Sequence, residues 1–316
     1  MAGVLDSVNQ RTQLVGENRL ELLLFRVNGS QLYGINVFKV REVLPCPRLT
    51  NIPKSKQVVR GIAPIRGGTI SILDLSLATG NSPLDDIESC FTVITEYNGS
   101  TQGFLVRSVE RIVNLNWNEV HPPPRGTGHE HYLTAVTKVD NKLVEIIDVE
   151  KILSEVAPIN ENISEGVITE DVAKTAADLK VLVVDDSKIA RKQVQRCVEQ
   201  IGVQVTALND GLEAWNHLTQ LQEQGISPLD EYIMMISDIE MPEMDGYTLT
   251  AEVRQHASFK AMHIVLHSSL SGVFNKAMVE KVGADDFLAK FHPDMLAEKV
   301  IERVHAVGAT IPGLDE

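Results

Sequence analysis

Val181-Leu182-Val183-Val184-Asp185-Asp186 is an apolar run of strand length that stops on two acids. Two later segments end in the same way. Tyr232-Ile233-Met234-Met235-Ile236-Ser237 stops on Asp238, and Phe287-Leu288-Ala289 stops on Lys290. Each polar residue lies at or just beyond the C-terminal end of a strand that would suit a parallel sheet. In such a sheet the three ends share one edge, and that edge is where open α/β sheets bind ligands. Three acids and a lysine would then meet at one site.

The surrounding pattern extends this reading. Apolar runs at Val181 to Val184, Val203 to Leu208, Tyr232 to Ser237, His263 to His267 and Asp286 to Ala289 alternate with helical periods. After Ser187, a residue suited to an N-cap, Ala190, Val194, Cys197, Val198 and Ile201 fall on one face before Gly202 stops the helix. The last helix begins near Pro293 and aligns Leu296, Val300 and Val304. Five βα repeats predict a doubly wound α/β domain over 179–310.

Residues 19–154 read differently. Leu22 to Val27 runs into Asn28-Gly29, Phe91 to Thr95 runs towards Asn98-Gly99, and Thr69 to Leu75 and Leu143 to Ile147 are short apolar or alternating stretches. Asn-Gly between such runs is a hairpin signal, because both residues tolerate positive φ. This half is predicted to be mainly β, in barrels or a sandwich. Between them, 155–178 is polar and acidic with Pro158 and Gly166, and reads as a linker, either disordered or carrying a short docked helix around Val172 to Ala177.

At 316 residues, two domains are expected. The formal charge of -14 argues against nonspecific nucleic-acid binding, which needs a basic face, and suits a soluble cytoplasmic protein. No run reaches the ~20 apolar residues of a membrane span, so direct membrane insertion is not expected. Cys46, Cys90 and Cys197 lack metal-ligand spacing and read as reduced apolar side chains. His121 with Pro122 to Pro124 reads as an extended connector, and His256, His263 and His267 form no convincing ligand set.

Gathered together, Asp185, Asp186 and Asp238 repel one another and resist ionisation unless a cation neutralises them. Hard oxygen ligands with open water positions suit Mg²⁺. Beside it the Asp238 carboxylate would attack a phosphoryl group as nucleophile. Ser268, after Ile264-Val265-Leu266-His267, and Lys290 supply a hydroxyl and an ammonium for the transferred oxygens.

This constellation resembles the receiver domain of two-component response regulators, over roughly Leu179 to Val307. Asp238 precedes Ser268 by 30 residues (268 − 238), and Ser268 precedes Lys290 by 22 (290 − 268), the spacings of chemotaxis receivers. Asp238-Ile239-Glu240-Met241-Pro242-Glu243-Met244-Asp245-Gly246 follows the family's Asp-x-x-Met-Pro-x-Met-Asp-Gly. The resemblance implies a flavodoxin-like sheet of order 2-1-3-4-5, a topology for which a chemotaxis receiver is itself the standard example. It further implies Asp238 as phospho-acceptor, direct Mg²⁺ ligation by Asp186 and Asp238, help through water from Asp185, and a backbone carbonyl from Glu240. Ser268 and Phe287 take the positions that convert phosphorylation into a surface change. One departure is Phe291, where the family usually has a proline after the lysine, often across a cis peptide; trans geometry is expected here.

Upstream, Arg60-Gly61-Ile62-Ala63-Pro64-Ile65-Arg66-Gly67-Gly68-Thr69-Ile70-Ser71-Ile72-Leu73-Asp74-Leu75 resembles the core of the CheW coupling family. Gly34-Ile35, Gly103 to Val106 and Leu143 to Asp148 add to the match. It implies two small five-stranded barrels over about Leu20 to Leu153. Residues alone leave Arg66-Gly67 as a turn with either a solvated or a functional arginine; the resemblance makes both candidate receptor contacts. A coupling domain followed by a receiver resembles the CheV family of chemotaxis proteins. The implied protein is not an enzyme with an external product but a phospho-accepting adaptor linking chemoreceptors to the histidine kinase CheA, in the cytoplasm at receptor arrays. One rival is a phosphate sink for CheA. Another is a haloacid-dehalogenase-type phosphatase using Asp238 and Glu240, disfavoured because an acid-ended strand precedes Asp238 by 52 residues (238 − 186).

A further departure carries a prediction. Leu270, two residues beyond Ser268, stands where a polar side chain in fast-cycling receivers helps to orient hydrolytic water. Autodephosphorylation should be slow, and a phosphoryl half-life of seconds or less on the isolated domain would refute this.

Overall fold

The computed structural model describes residues 19–97, 100–123, 132–156, 162–268, 279–289 and 292–308. Asn98-Gly99, Pro124, Leu270, Lys290 and Phe291 lie outside the described residues. The chain divides into two compact units, with the boundary in sequence between Ile159 and Asn160.

The N-terminal unit contains β1 (Arg19–Arg26), β2 (Leu32–Asn36), β3 (Val40–Pro45), β4 (Val59–Ile65) and β5 (Gly68–Asp74). A short helix α1 (Leu75–Ala78) follows, then β6 (Phe91–Tyr97), β7 (Ser100–Val106), β8 (Ser108–Asn116), β9 (Leu133–Val139), β10 (Lys142–Ile147) and α2 (Val149–Val156). They build two five-stranded sheets, β3-β6-β7-β5-β4 and β8-β1-β2-β10-β9. The sheets share one plan. Each has three antiparallel pairings and one parallel pairing, β5 with β7 and β2 with β10.

Each sheet also links its two edges. Thr50, just past β3, pairs with Ile62 of β4, and His121, past β8, pairs with Val136 of β9. Alternation along the strands explains the packing. Leu20, Leu22 and Leu24 face a cluster with Leu115, Val144 and Ile146, whereas Leu23 and Phe25 face another with Leu73, Phe104 and Ile147. A third cluster holds Ile70, Ile72, Ile94 and Leu105. Each sheet therefore has its own apolar core, and a shared layer lies between the two. The matching strand ends are capped alike: Asp74 accepts from Ser76 N and Leu77 N, and Asp148 from Lys151 N.

In the C-terminal unit α3 (Glu170–Ala176) precedes β11 (Lys180–Val184), α4 (Lys188–Ile201), β12 (Gln204–Leu208), α5 (Gly211–Glu223), α6 (Pro228–Glu231), β13 (Met234–Asp238), α7 (Gly246–Gln255), β14 (Ile264–Ser268), β15 (Asp286–Ala289) and α8 (Pro293–Gly308). The all-parallel sheet has the order β12-β11-β13-β14-β15. Val181 and Val183 pack into one apolar cluster and Leu182 and Val184 into another, so β11 is buried on both faces. Ser187 caps α4 by accepting from Ala190 N, and Gly202 ends it at φ 99°.

Part of the segment expected to link the units is structured. Val172 and Ala176 of α3 are buried against α4 and α8, and Ile163, Val167 and Ile168 pack on the same core. Of the two readings of this segment, the short docked helix is the one found, and the partners that bury it come from distant helices. Among the described residues no helix is long and apolar enough to cross a membrane. All three cysteines are free, and burial pushes each thiol up, Cys197 to about 12, which keeps them poor nucleophiles.

Burial, and then the neighbouring Glu150, push the Asp148 carboxyl above the usual range. Its unfolded value is about 3.9. The folded state therefore binds the proton more tightly, so the favourable contribution is complete below that value and is lost as pH rises through the folded one. Asp148→Asn keeps an acceptor for Lys151 N and removes the charge. It should resist urea better than the parent at pH 7, with the gain vanishing towards pH 4, followed by Trp117 fluorescence in a Trp215→Phe background.

Candidate functional site

The parallel register builds the acidic site. Val184 lies opposite Ser237, so Asp185 follows on β11 at the level of Asp238 on β13. One carboxylate oxygen each from Asp185, Asp186 and Asp238 lies within 4.8 Å of the others. Asp185 and Asp238 are buried and Asp186 is exposed. Three like charges this close, two of them shielded from water, favour a divalent cation with oxygen ligands. The donor set therefore fits Mg²⁺, with one open, solvent-facing side.

Local bonds hold these acids in place. Ser187 N donates to Asp185 Oδ1 at 2.9 Å, and Arg191 donates to the Asp185 carbonyl. Ile239 N donates to Asp238 Oδ1 at 2.7 Å, and Ser237 Oγ to the Asp238 carbonyl at 2.9 Å. On the neighbouring strand His267 lies opposite Asp238, so buried Ser268 stands one residue further along the same edge. Phe287 on β15 is half-buried and packs against the cluster that contains Leu266 and Met241. Glu240 is half-buried in the loop after β13. Lys290 follows β15 directly in the chain and is outside the described residues.

The loop from Asp238 to Gly246 has structural duties that spacing alone does not disclose. Met241 plugs the core at 1% exposure. Asp245 caps α7, accepting from Thr248 N at 2.8 Å and Thr248 Oγ1 at 2.9 Å. Gly246 donates from its N to the Ile239 carbonyl at 2.9 Å, and a Cβ there would lie 2.1 Å from the Asp238 carbonyl oxygen. Only glycine permits that approach. The signal for it was the Asp-Gly pair, which by itself reads as a turn.

In the N-terminal unit, Ile65 pairs with Gly68 and leaves Arg66-Gly67 as a two-residue turn with φ of 48° and 82°. Both residues being left-handed matches the type I′ hairpin. Arg66 is 77% exposed and makes a bidentate pair with Glu42 of β3, Nε to Oε1 and Nη2 to Oε2, both at 2.7 Å. That hydrogen bonding holds the Glu42 carboxyl below its ordinary range. β3 and β4 are opposite edges of the sheet order, so this pair exists because the sheet curls. Glu42 was not legible as a partner, since 24 residues and a whole sheet separate it from Arg66.

Residues 21–157 match the CheW-like domain family, and residues 181–301 match the response regulator receiver domain family. Chemotaxis protein CheV3 of Helicobacter pylori is 30% identical across 90% of this chain and 94% of its own length. The chain belongs to the CheV family of chemotaxis proteins. CheV1 of the same organism is 28% identical over 96% of the chain and 98% of its own length. Chemotaxis protein CheW of Klebsiella aerogenes is 25% identical over 49% of the chain and 92% of its own length. The solved structure of the scaffolding protein TtCheW from Thermoanaerobacter tengcongensis, also 25% identical, gives a TM-score of 0.40 over 45% of the chain and 94% of that one. As a CheV-family member the protein is a chemotaxis coupling scaffold fused to a receiver, and neither the sink nor the phosphatase reading is favoured.

Gly246→Ala should force α7 away from Asp238. Overpacking of this kind costs about 2 kcal/mol, measurable as a lower urea midpoint of the Trp215 fluorescence transition.

Proposed function

We propose that this CheV-family chain links chemoreceptors to the histidine kinase CheA and that phosphorylation of Asp238 tunes the link. The observation that carries this is the convergence of Asp185, Asp186 and Asp238 within 4.8 Å at the carboxyl edge of a parallel sheet. Asp186 and Asp238, with Asp185 through water and the Glu240 backbone carbonyl, would hold Mg²⁺, which would supply charge neutralisation.

The protein's own groups perform the remainder. Asp238 attacks the phosphorus of the kinase's phosphohistidine; a P–O bond forms, the P–N bond breaks, and the released imidazole takes up a proton. The Ile239 N–H at Asp238 Oδ1 orients that carboxylate. Ser268 at the next strand end and Lys290 hold the transferred oxygens, since phosphoryl transfer depends chiefly on positioning and charge. Ser268 turning towards the phosphoryl group, with Phe287 following inward, alters the surface beside β14 and β15. Phosphorylation changes coupling only as far as partners bind the two surfaces differently.

Arg66 and Gly67 form the receptor-contact candidate in the CheW-like half. The exposed turn presents the guanidinium, and Glu42 holds it in one orientation before a partner arrives. The working location is cytoplasmic, at membrane-bound receptor arrays.

Transfer from radiolabelled CheA should label the protein in Mg²⁺, fail after chelation and fail in Asp238→Asn. Ser268→Ala should slow labelling by about tenfold or more, in the range of a lost transition-state contact. Labelling that survives in Asp238→Asn would place the acceptor elsewhere.

A further inference from the structure

The C-terminal unit holds more chain than its five βα repeats use. Before β11, residues 163–176 pack on the core that α4 and α8 build over one face of the sheet, and they are held in two physically different ways. α3 is held by burial, with Val172 and Ala176 at 2% and 0% exposure in the cluster of Val194, Val198 and Val300. Thr169 caps it by accepting from Val172 N. The stretch before α3 is held at its far end by polar contacts. Ser164 donates from N to Asp294 Oδ1 at 2.8 Å and from Oγ to Asp294 Oδ2 at 2.7 Å. Ile163 N donates to Gln200 Oε1 at 3.2 Å. All three bonds are exposed to water, and Ile163, Val167 and Ile168 are only half-buried.

Asp294 occupies the first turn of α8, four residues after Lys290. Asp294 thus stands close in sequence to Lys290 and binds Ser164 through both carboxylate oxygens. We propose that residues 162–169 are a phosphorylation-responsive latch, closed while Ser164 holds Asp294 and opened when the phosphorylated site displaces the start of α8. The inference rests on Asp238 as phospho-acceptor. α3 stays in place through both states, because apolar burial does not depend on the position of Asp294. Water competes directly for the exposed hydrogen bonds, so their net worth is small enough for a local shift to outweigh them. Opening frees eight residues, 162–169, whose extended reach is about 27 Å.

Amide hydrogen exchange on the full chain tests this, with Mg²⁺ and beryllofluoride as the phosphoryl mimic. The mimic should raise exchange in 162–169 roughly tenfold, the size expected for losing such contacts, and leave 170–176 protected. Ser164→Ala and Asp294→Ala should show the raised rate without the mimic and gain little from it. If exchange at 264–268 responds to the mimic and 162–169 does not, the latch is wrong while the Asp238 reading stands. If neither segment responds, the phospho-acceptor reading fails and takes the latch with it. Wild-type exchange in 162–169 of both variants would show that the Ser164–Asp294 contact closes nothing.

Discussion

The register between β11 and β13 is the constraint on which the acidic site depends. It sets Asp185 level with Asp238, and the pairing of β13 with β14 continues the row to His267 and brings Ser268 one step beyond. Side chains alternate along a strand, so a slip of one residue would turn the Asp238 carboxylate to the other side of the sheet. Packing resists that slip, because alternate residues of β11 fit two different clusters. Gly246 adds a second restraint by letting α7 seat against the Asp238 carbonyl.

Closure plays the corresponding part in the N-terminal unit. Small five-stranded sheets have edges that need partners. Here each sheet's edges are joined by a bridge, and in one of them also by the Arg66–Glu42 ion pair. The ion pair is exposed and adds little stability. Its consequence is geometric, since it limits the directions a flexible guanidinium can take at the tip of a hairpin.

The two halves of the segment before β11 show how the same chain can be fixed and releasable at once. Val172 and Ala176 are almost entirely shut off from water and bind α3 as core. Ser164 and Asp294 keep theirs, and the bonds between them compete with solvent at every moment. Composition placed both in one linker, 155–178, and marked only Val172 to Ala177 as able to form a short docked helix.

Much of the architecture was legible before any coordinates. Apolar runs ending on Asp185, Asp238 and Lys290, the Ser187 cap, the Gly202 stop and the Pro293 start are local signals, and local chemistry makes them. The alternating runs of the N-terminal half announced strands for the same reason. The order in which β1, β2 and β8 to β10 join one sheet around the other could not be read from them, since strands carry no mark of a partner far along the chain. Glu42 beside Arg66, Asp294 beneath Ser164 and Gly246 against the Asp238 carbonyl belong to the same class. The sequence by itself determined which residues are candidates for phosphoryl transfer and where strands and helices stop, because those depend on near neighbours. Tertiary structure alone decided which of them touch, because contact between distant residues is set by register, closure and packing.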